Sequence, residues 1–160
     1  MNKQALFAAG CFWGVQYYFD QVPGVVKTTV GYTGGHTKNP SYEEVCSHGT
    51  GHAEATLIEF DPKQVTYETL VKQFFYMHDP TQLNRQGPDV GDEYRSAVFY
   101  FDDAQKQTAE KVREQAQKRF KKPVVTEVTK AATFYPAEEY HQKFTQKTGL
   151  GMCHVPFKQI

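Results

Sequence analysis

The stretch Gly10-Cys11-Phe12-Trp13-Gly14 joins two segments of different periodicity, and it constrains the fold more than any other part of the chain. Before it runs Ala5-Leu6-Phe7-Ala8-Ala9, a short unbroken apolar run that reads as a buried strand. After it, Phe12, Val15 and Phe19 fall at i, i+3 and i+7, the spacing of one helix face. Cys11 therefore sits where a strand ends and a helix begins. The unpaired N–H groups and the positive dipole end of a helix favour a thiolate there, and such a position lowers a cysteine pKa. The flanking glycines let a ligand approach the backbone closely. The alternative is a small buried hydrophobe. The position, and the chain's only tryptophan beside the thiol, favour the reactive reading.

Composition excludes several classes. At 160 residues the chain suits one domain with a substantial core. Eighteen basic and eighteen acidic residues balance, which argues against nucleic acid or an anionic membrane as partner. No apolar run approaches the roughly 20 residues of a membrane span. Three cysteines, Cys11, Cys46 and Cys153, do not form a disulfide-stapled scaffold and fit a reducing compartment. The apolar run before Cys11 is too short for a signal h-region, and only Lys3 is basic. The expectation is a cytoplasmic monomer.

Along the chain, Val22-Pro23-Gly24 marks a turn, and 25–32 is β-rich. Residues 33–51 read as one glycine-rich loop carrying Tyr42, Cys46 and His48, with His52 at its edge. At about 19 residues it exceeds an ordinary connection, and such loops are usually functional or disordered. Residues 53–60 alternate as a strand, with Glu54, Thr56, Ile58 and Phe60 on one face. Thr66 is an N-cap for a helix carrying Leu70, Val71, Phe74 and Phe75. An irregular stretch over 78–91 precedes a strand over 96–101. Asp102 or Asp103 caps a polar helix from about 104 to 120, whose charges read as a solvated face. A strand over 124–128 and a helix over 138–144 follow. The segment 148–160 is expected to be an irregular, flexible tail of a single catalytic domain spanning 1–160. The first six elements match βαββαβ, the ferredoxin-like arrangement. The fold class is therefore α+β, with a mixed, mainly antiparallel sheet and a long irregular C-terminal segment.

Gly10-Cys11-Phe12-Trp13-Gly14 resembles the active-site signature of the A-type methionine sulfoxide reductases, the peptide-methionine (S)-S-oxide reductases. Further blocks agree in order. They are Gly31-Tyr32-Thr33-Gly34-Gly35, Asn39-Pro40-Ser41-Tyr42 and Gly49-Thr50-Gly51-His52-Ala53-Glu54, then Asp79-Pro80-Thr81-Gln82, Arg85-Gln86-Gly87 with Asp89, and Tyr94-Arg95-Ser96. Ala137-Glu138 with His141-Gln142 resembles a late block. The likeness covers roughly residues 5–145, nearly the whole domain.

The chemistry the resemblance implies can be argued from the residues. Reducing a sulfoxide needs a soft nucleophile at an electrophilic sulfur and a proton for the departing oxygen. Cys11 supplies the first. A carboxylic acid among apolar neighbours can supply the second. Sequence alone leaves Glu54 open between that role and an exposed, ionised glutamate; the resemblance implies the acid. The resemblance further implies that Tyr42 and Tyr94 donate hydroxyls to the sulfoxide oxygen, as an oxyanion hole does. It makes Phe12 and Trp13 the apolar wall for the substrate methyl group, and gives Asp89 a supporting place in substrate binding. It implies that Cys153 resolves the Cys11 sulfenic acid as a disulfide, which thioredoxin or a similar dithiol reduces. The chain carries no cysteine beyond Cys153, which points to a single resolving step. Cys46 reads as structural, with a backup thiol role as the alternative. No metal and no cofactor is implied, and free and protein-bound methionine sulfoxide are equally open as substrate.

Three rival readings stand against this, one of them a non-catalytic binding domain, which leaves the collected blocks without an explanation. A papain-like protease requires a Cys-Gly-Ser/Ala-Cys surround and a Cys–His pair, and the residues before Cys11 do not match. A zinc-binding or other thiol-dependent module could use Cys46, His48 and His52 with Cys11 or Cys153, but the spacing is not a usual zinc pattern.

Overall fold

A computed structural model describes residues 1–151. Eight strands and five α-helices alternate along it. They are β1 (Lys3–Ala9), α1 (Phe12–Asp20), β2 (Val25–Thr33), α2 (Tyr42–Cys46), β3 (Ala53–Phe60), α3 (Tyr67–Tyr76), β4 (Arg85–Gln86), β5 (Asp89–Val90), β6 (Ser96–Tyr100), α4 (Asp103–Gln117), β7 (Glu127–Lys130), β8 (Tyr135–Pro136) and α5 (Phe144–Thr148). Two 3-10 turns, Asp92–Tyr94 and Glu139–His141, complete the path.

The main sheet has the order β7-β6-β1-β3-β2-β8. Its inner four strands reproduce the expected ferredoxin-like layout, with β1 in antiparallel ladders to both β3 and β6 and β3 antiparallel to β2. Only β6 and β7 run parallel. That pairing requires the crossover that α4 provides. The sheet is mixed and mainly antiparallel, as the sequence predicts.

The apolar run of β1 is buried on both faces, which is why it does not alternate. Ala5, Phe7 and Ala9 meet Phe19, Leu70, Phe74 and Val98 in the larger core cluster. Leu6 and Ala8 join Ala53, Ala55, Ala97 and Phe99 on the opposite face. In α1 the stripe Phe12, Val15 and Phe19 is buried as its spacing predicts. Burying each such side chain contributes roughly 1.5–3 kcal/mol. Thr66 caps α3 through the Thr69 N–H, and Asp102 caps α4 through the Gln105 N–H.

Four expectations need correction. The stretch 33–51 is not one loop, because α2 interrupts it. Ser41 accepts from the Glu44 N–H while the Glu44 carboxylate accepts from the Ser41 N–H, a capping box that nucleates a helix too short to show periodicity. The stretch 78–91 contains the small β4–β5 hairpin. The strand expected over 124–128 lies at Glu127–Lys130, because the N–H groups of Val124 and Val125 turn to Gln117 Oε1 and the Pro80 carbonyl. The helix expected over 138–144 is a 3-10 turn followed by α5, broken where Lys143 adopts a left-handed φ of 59°. Lys143 is held there by three contacts: its N–H donates to Gln16 Oε1, and its ammonium meets Asp20 and Thr28. The tail expected over 148–160 falls mostly outside the described residues, Cys153 included.

Between β8 and α5 the chain laces itself onto β2. The side-chain amide of Gln142 accepts from the Val30 N–H at 3.0 Å and donates to the Val30 carbonyl at 2.9 Å. A side chain thus takes the place of a strand partner, and the β2 edge is covered.

Candidate active site

The sheet brings the candidate residues to one end. The C-terminal ends of β1 and β2 and the N-terminal ends of β3 and β6 coincide there, since Ala9 pairs with Ser96 and Tyr32 with Glu54. Cys11 follows β1, Tyr42 opens the helix after β2, Glu54 lies at the start of β3, and Tyr94 closes the turn before β6. Four segments scattered over more than half the sequence therefore converge by register alone.

Cys11 is the N-cap residue of α1 and is buried, at 7% exposure. It occupies the strand-to-helix junction expected for it. The next residue, Phe12, donates its backbone N–H to Glu54 Oε1 at 3.1 Å. Glu54 is itself 1% exposed. Glu54 is therefore not the exposed glutamate that was the alternative. A carboxyl taken out of water is disfavoured in its charged form.

The two tyrosines sit around this carboxyl. Burial holds the Tyr42 phenol well above its ordinary pKa, and the Glu54 charge and the Cys46 thiol add to the effect. Burial does the same to Tyr94, with Glu54, Tyr42 and Cys46 as further causes. Both hydroxyls therefore stay protonated and able to donate at any physiological pH. Asp89, in the hairpin, also acts on Tyr94 and has its own pKa raised by burial. Cys46 faces both phenols, and burial raises its pKa too. A thiol kept protonated is a poor nucleophile, which supports the structural reading over the backup thiol.

Phe12 and Trp13 differ in exposure. Phe12 is fully buried against Tyr32 and His141, with ring centroids 5.7 and 5.3 Å away. Trp13 is half-buried and stacks on Phe144 at 4.0 Å. Phe12 is thus enclosed by rings, while Trp13 keeps part of its indole exposed. Gly151, the last described residue, also meets Trp13. A Cβ built there would lie 3.0 Å from the indole ring.

Three residues that sequence reading left without a role hold this site together. His141 is 1% exposed, and its Nδ1 accepts from Trp13 Nε1 at 2.9 Å. Its ring lies 4.4 Å from that of Tyr42. Burial pushes its pKa below the usual histidine value, with the Glu138 charge opposing, so the acceptor form is favoured. Glu138 accepts from the Tyr32 hydroxyl at 2.9 Å and from the Tyr42 N–H at 3.0 Å. Gln142 pairs with Val30 as described. The one signal available in the sequence was the block containing Glu138, His141 and Gln142, whose partners lie about a hundred residues earlier.

Among the described residues, Cys46, His48 and His52 do not come together as one ligand set. His52 Nδ1 accepts from the Gly35 N–H and Nε2 donates to the Thr37 carbonyl, so backbone groups engage both nitrogens. His48 instead meets Glu93. Among the described residues no helix is long and apolar enough to cross a membrane.

The chain is similar to known proteins in sequence and in fold. The family profile described as peptide methionine sulfoxide reductase matches residues 3–160. A peptide methionine sulfoxide reductase MsrA of Methanosarcina mazei is 53% identical over 150 residues, covering 92% of this chain and 71% of its own length. The MsrA of Acidobacterium capsulatum is 51% identical over 154 residues, covering 95% and 99%. Among solved structures, reduced Mxr1 of Saccharomyces cerevisiae superposes with a TM-score of 0.92 at 33% identity, covering 97% of this chain and 91% of that one. Mxr1 in complex with Trx2 superposes with a TM-score of 0.65 at 26% identity, covering 89% and 84%. With a profile match over nearly its whole length and relatives at half identity, the chain belongs to the peptide methionine sulfoxide reductase family.

Proposed function

We propose that this protein reduces methionine S-sulfoxide, free or within proteins, to methionine, with Cys11 as nucleophile and Glu54 as acid. The observation that carries this reading is the Glu54 Oε1 contact with the Phe12 N–H. It puts a buried carboxyl beside the residue that follows Cys11, at the positive end of α1. Cys11 thiolate attacks the sulfoxide sulfur. Tyr42 and Tyr94 donate to the oxygen as negative charge develops on it, and Glu54 delivers the proton. Oxygen passes to Cys11, which becomes a sulfenic acid, and the sulfoxide leaves as the thioether, methionine. Trp13 flanks the methyl group of the substrate, with Phe12 behind it and Asp89 supporting the Tyr94 side.

The Cys153 thiol then condenses with the sulfenic acid, releasing water and forming a Cys11–Cys153 disulfide. Gly151 packs on Trp13, and two further residues span at most about 7 Å. That reach supports Cys153 as the resolving thiol. A dithiol reduces the disulfide in the last step. The yeast relative solved with Trx2 supports thioredoxin in that part. The whole chain acts as one catalytic unit, a monomer in the reducing cytoplasm.

The test is an assay with resolved S- and R-epimers and dithiothreitol as reductant. The S-epimer is reduced by the wild type and not by Cys11→Ser. Turnover by Cys11→Ser, or reduction of the R-epimer alone, contradicts the proposal.

A further inference from the structure

We propose that His48 and Glu93 form a latch that sets the relative position of Tyr42 and Tyr94, and so are positioning residues of the sulfoxide site; this rests on the function proposed above. His48 Nδ1 donates to Glu93 Oε1 at 2.9 Å, across 45 residues of sequence. The Glu93 side chain is 2% exposed, whereas that of His48 is 56% exposed. A buried carboxylate is tolerated only where a donor answers it, and His48 is the donor that reaches in from solvent.

Two features of the backbone are spent on this contact. His48 adopts a left-handed φ of 67°, an uncommon and costly conformation for a residue with a Cβ. Gly91 has φ 142°. A Cβ at Gly91 would overlap Glu93 Oε1 and come within 2.8 Å of His48 Cε1, so only glycine leaves room for the pair. Asp92 also turns toward the contact, since it, His48 and Glu93 present polar atoms within 4.8 Å of one another.

The two ends of the latch are the two ends of the phenol pair. His48 lies directly beyond α2, which begins with Tyr42 and ends with Cys46. Glu93 lies beside Tyr94 in the 3-10 turn, and that turn packs on β3, the strand carrying Glu54. The Cys46 thiol of α2 also hydrogen-bonds Tyr94, so the His48–Glu93 pair is a second tie between α2 and this turn, made outside the phenol pair itself. Closing the pair fixes how far apart the two hydroxyls stand, and a misplacement of about 1 Å can cost up to 10²-fold in rate.

The test uses His48→Asn. Asparagine tolerates a left-handed backbone better than histidine does, yet it is too short to serve Glu93 as the ring does. Activity is expressed per active site, counted by the methionine formed before reductant is added. We expect kcat to fall between about 10- and 100-fold with KM nearly unchanged. In a Tyr94→Phe background the same substitution should change kcat less than about twofold, since coupled residues lose their effects together. A second readout needs no sulfoxide chemistry. In Cys11→Ser/Cys153→Ser protein, Cys46 is the remaining thiol, and iodoacetamide should alkylate it severalfold faster once His48→Asn loosens α2. If kcat per active site is unchanged, if the loss persists in full with Tyr94→Phe, or if Cys46 alkylation is unaltered, the latch is wrong. If the wild type reduces no sulfoxide while Cys46 responds as expected, the function fails and the latch stands.

Discussion

Glu54 is the residue whose role depends most on burial, and its sequence neighbours could not settle that. Its strand alternates, so the sequence assigns it a face, but the cover over that face comes from α1, some forty residues earlier. A longer separation, 96 to 128 residues, hid His141 and Glu138. Each is a single polar residue in a region without periodicity, and its partners are Trp13, Tyr32 and Tyr42. Replacing Glu54 by Gln keeps the shape and a hydrogen-bond donor but not the transferable proton. The rate should fall roughly 10²–10⁴-fold, the usual contribution of a positioned acid. A loss below about tenfold in steady-state kcat would assign the proton to the tyrosines or water. His141 makes a prediction about pH. Its folded pKa is depressed, so on acidification the unfolded chain binds the proton first. Stability is therefore complete above the ordinary histidine pKa, about 6.5, and declines as pH falls below it toward the folded value. Urea unfolding followed by the single tryptophan, which bonds to His141, should show the midpoint falling between about pH 7 and 5. His141→Gln should flatten that slope, and an unchanged slope would assign it to other groups.

At the scale of elements, the strands and helices with a strong period were legible and the short ones were not. The boundaries of β3 and the caps at Thr66 and Asp102 are as the sequence predicts, because alternation and cap chemistry are local. The helix α2 has only five residues and shows itself solely through Ser41 and Glu44, a capping pair inside what reads as loop. The two-residue β8 has no period at all. It exists because Gly31 on β2 admits it, pairing with Pro136. A Cβ at Gly31 would overlap the Tyr135 carbonyl and the Phe134 ring. Gly31→Ala should therefore push β8 off the sheet edge and cost about 1–3 kcal/mol, the range for overpacking a filled site. Because β8 leads into Glu138, which holds Tyr42, activity should fall as well. Chemical denaturation together with kcat measures both, and a variant as stable as wild type would show that the edge yields without strain.

For the molecule as a whole, the ferredoxin-like core could be read from element order, since βαββαβ has few layouts that avoid crossed connections. The convergence of Cys11, Tyr42, Glu54 and Tyr94 at one sheet end could not. It follows from register, which the pattern along any one strand does not specify. The C-terminal segment closes this end by lacing over β2 and α1 and bringing Gly151 onto Trp13. The proposed cycle uses that closure only after methionine has formed. Cys153→Ser should therefore release about one equivalent of methionine and then stall, since serine cannot condense with a sulfenic acid.

The most direct measurement mixes reduced enzyme with methionine S-sulfoxide in the absence of any reductant, alkylates it, and reads the thiols by mass spectrometry. The account predicts one methionine released per wild-type chain together with a Cys11–Cys153 disulfide and an alkylated Cys46, and in Cys153→Ser one methionine with oxygen retained on Cys11. A Cys11–Cys46 bridge in the wild type, or methionine formed while Cys11 remains fully alkylatable, would contradict it.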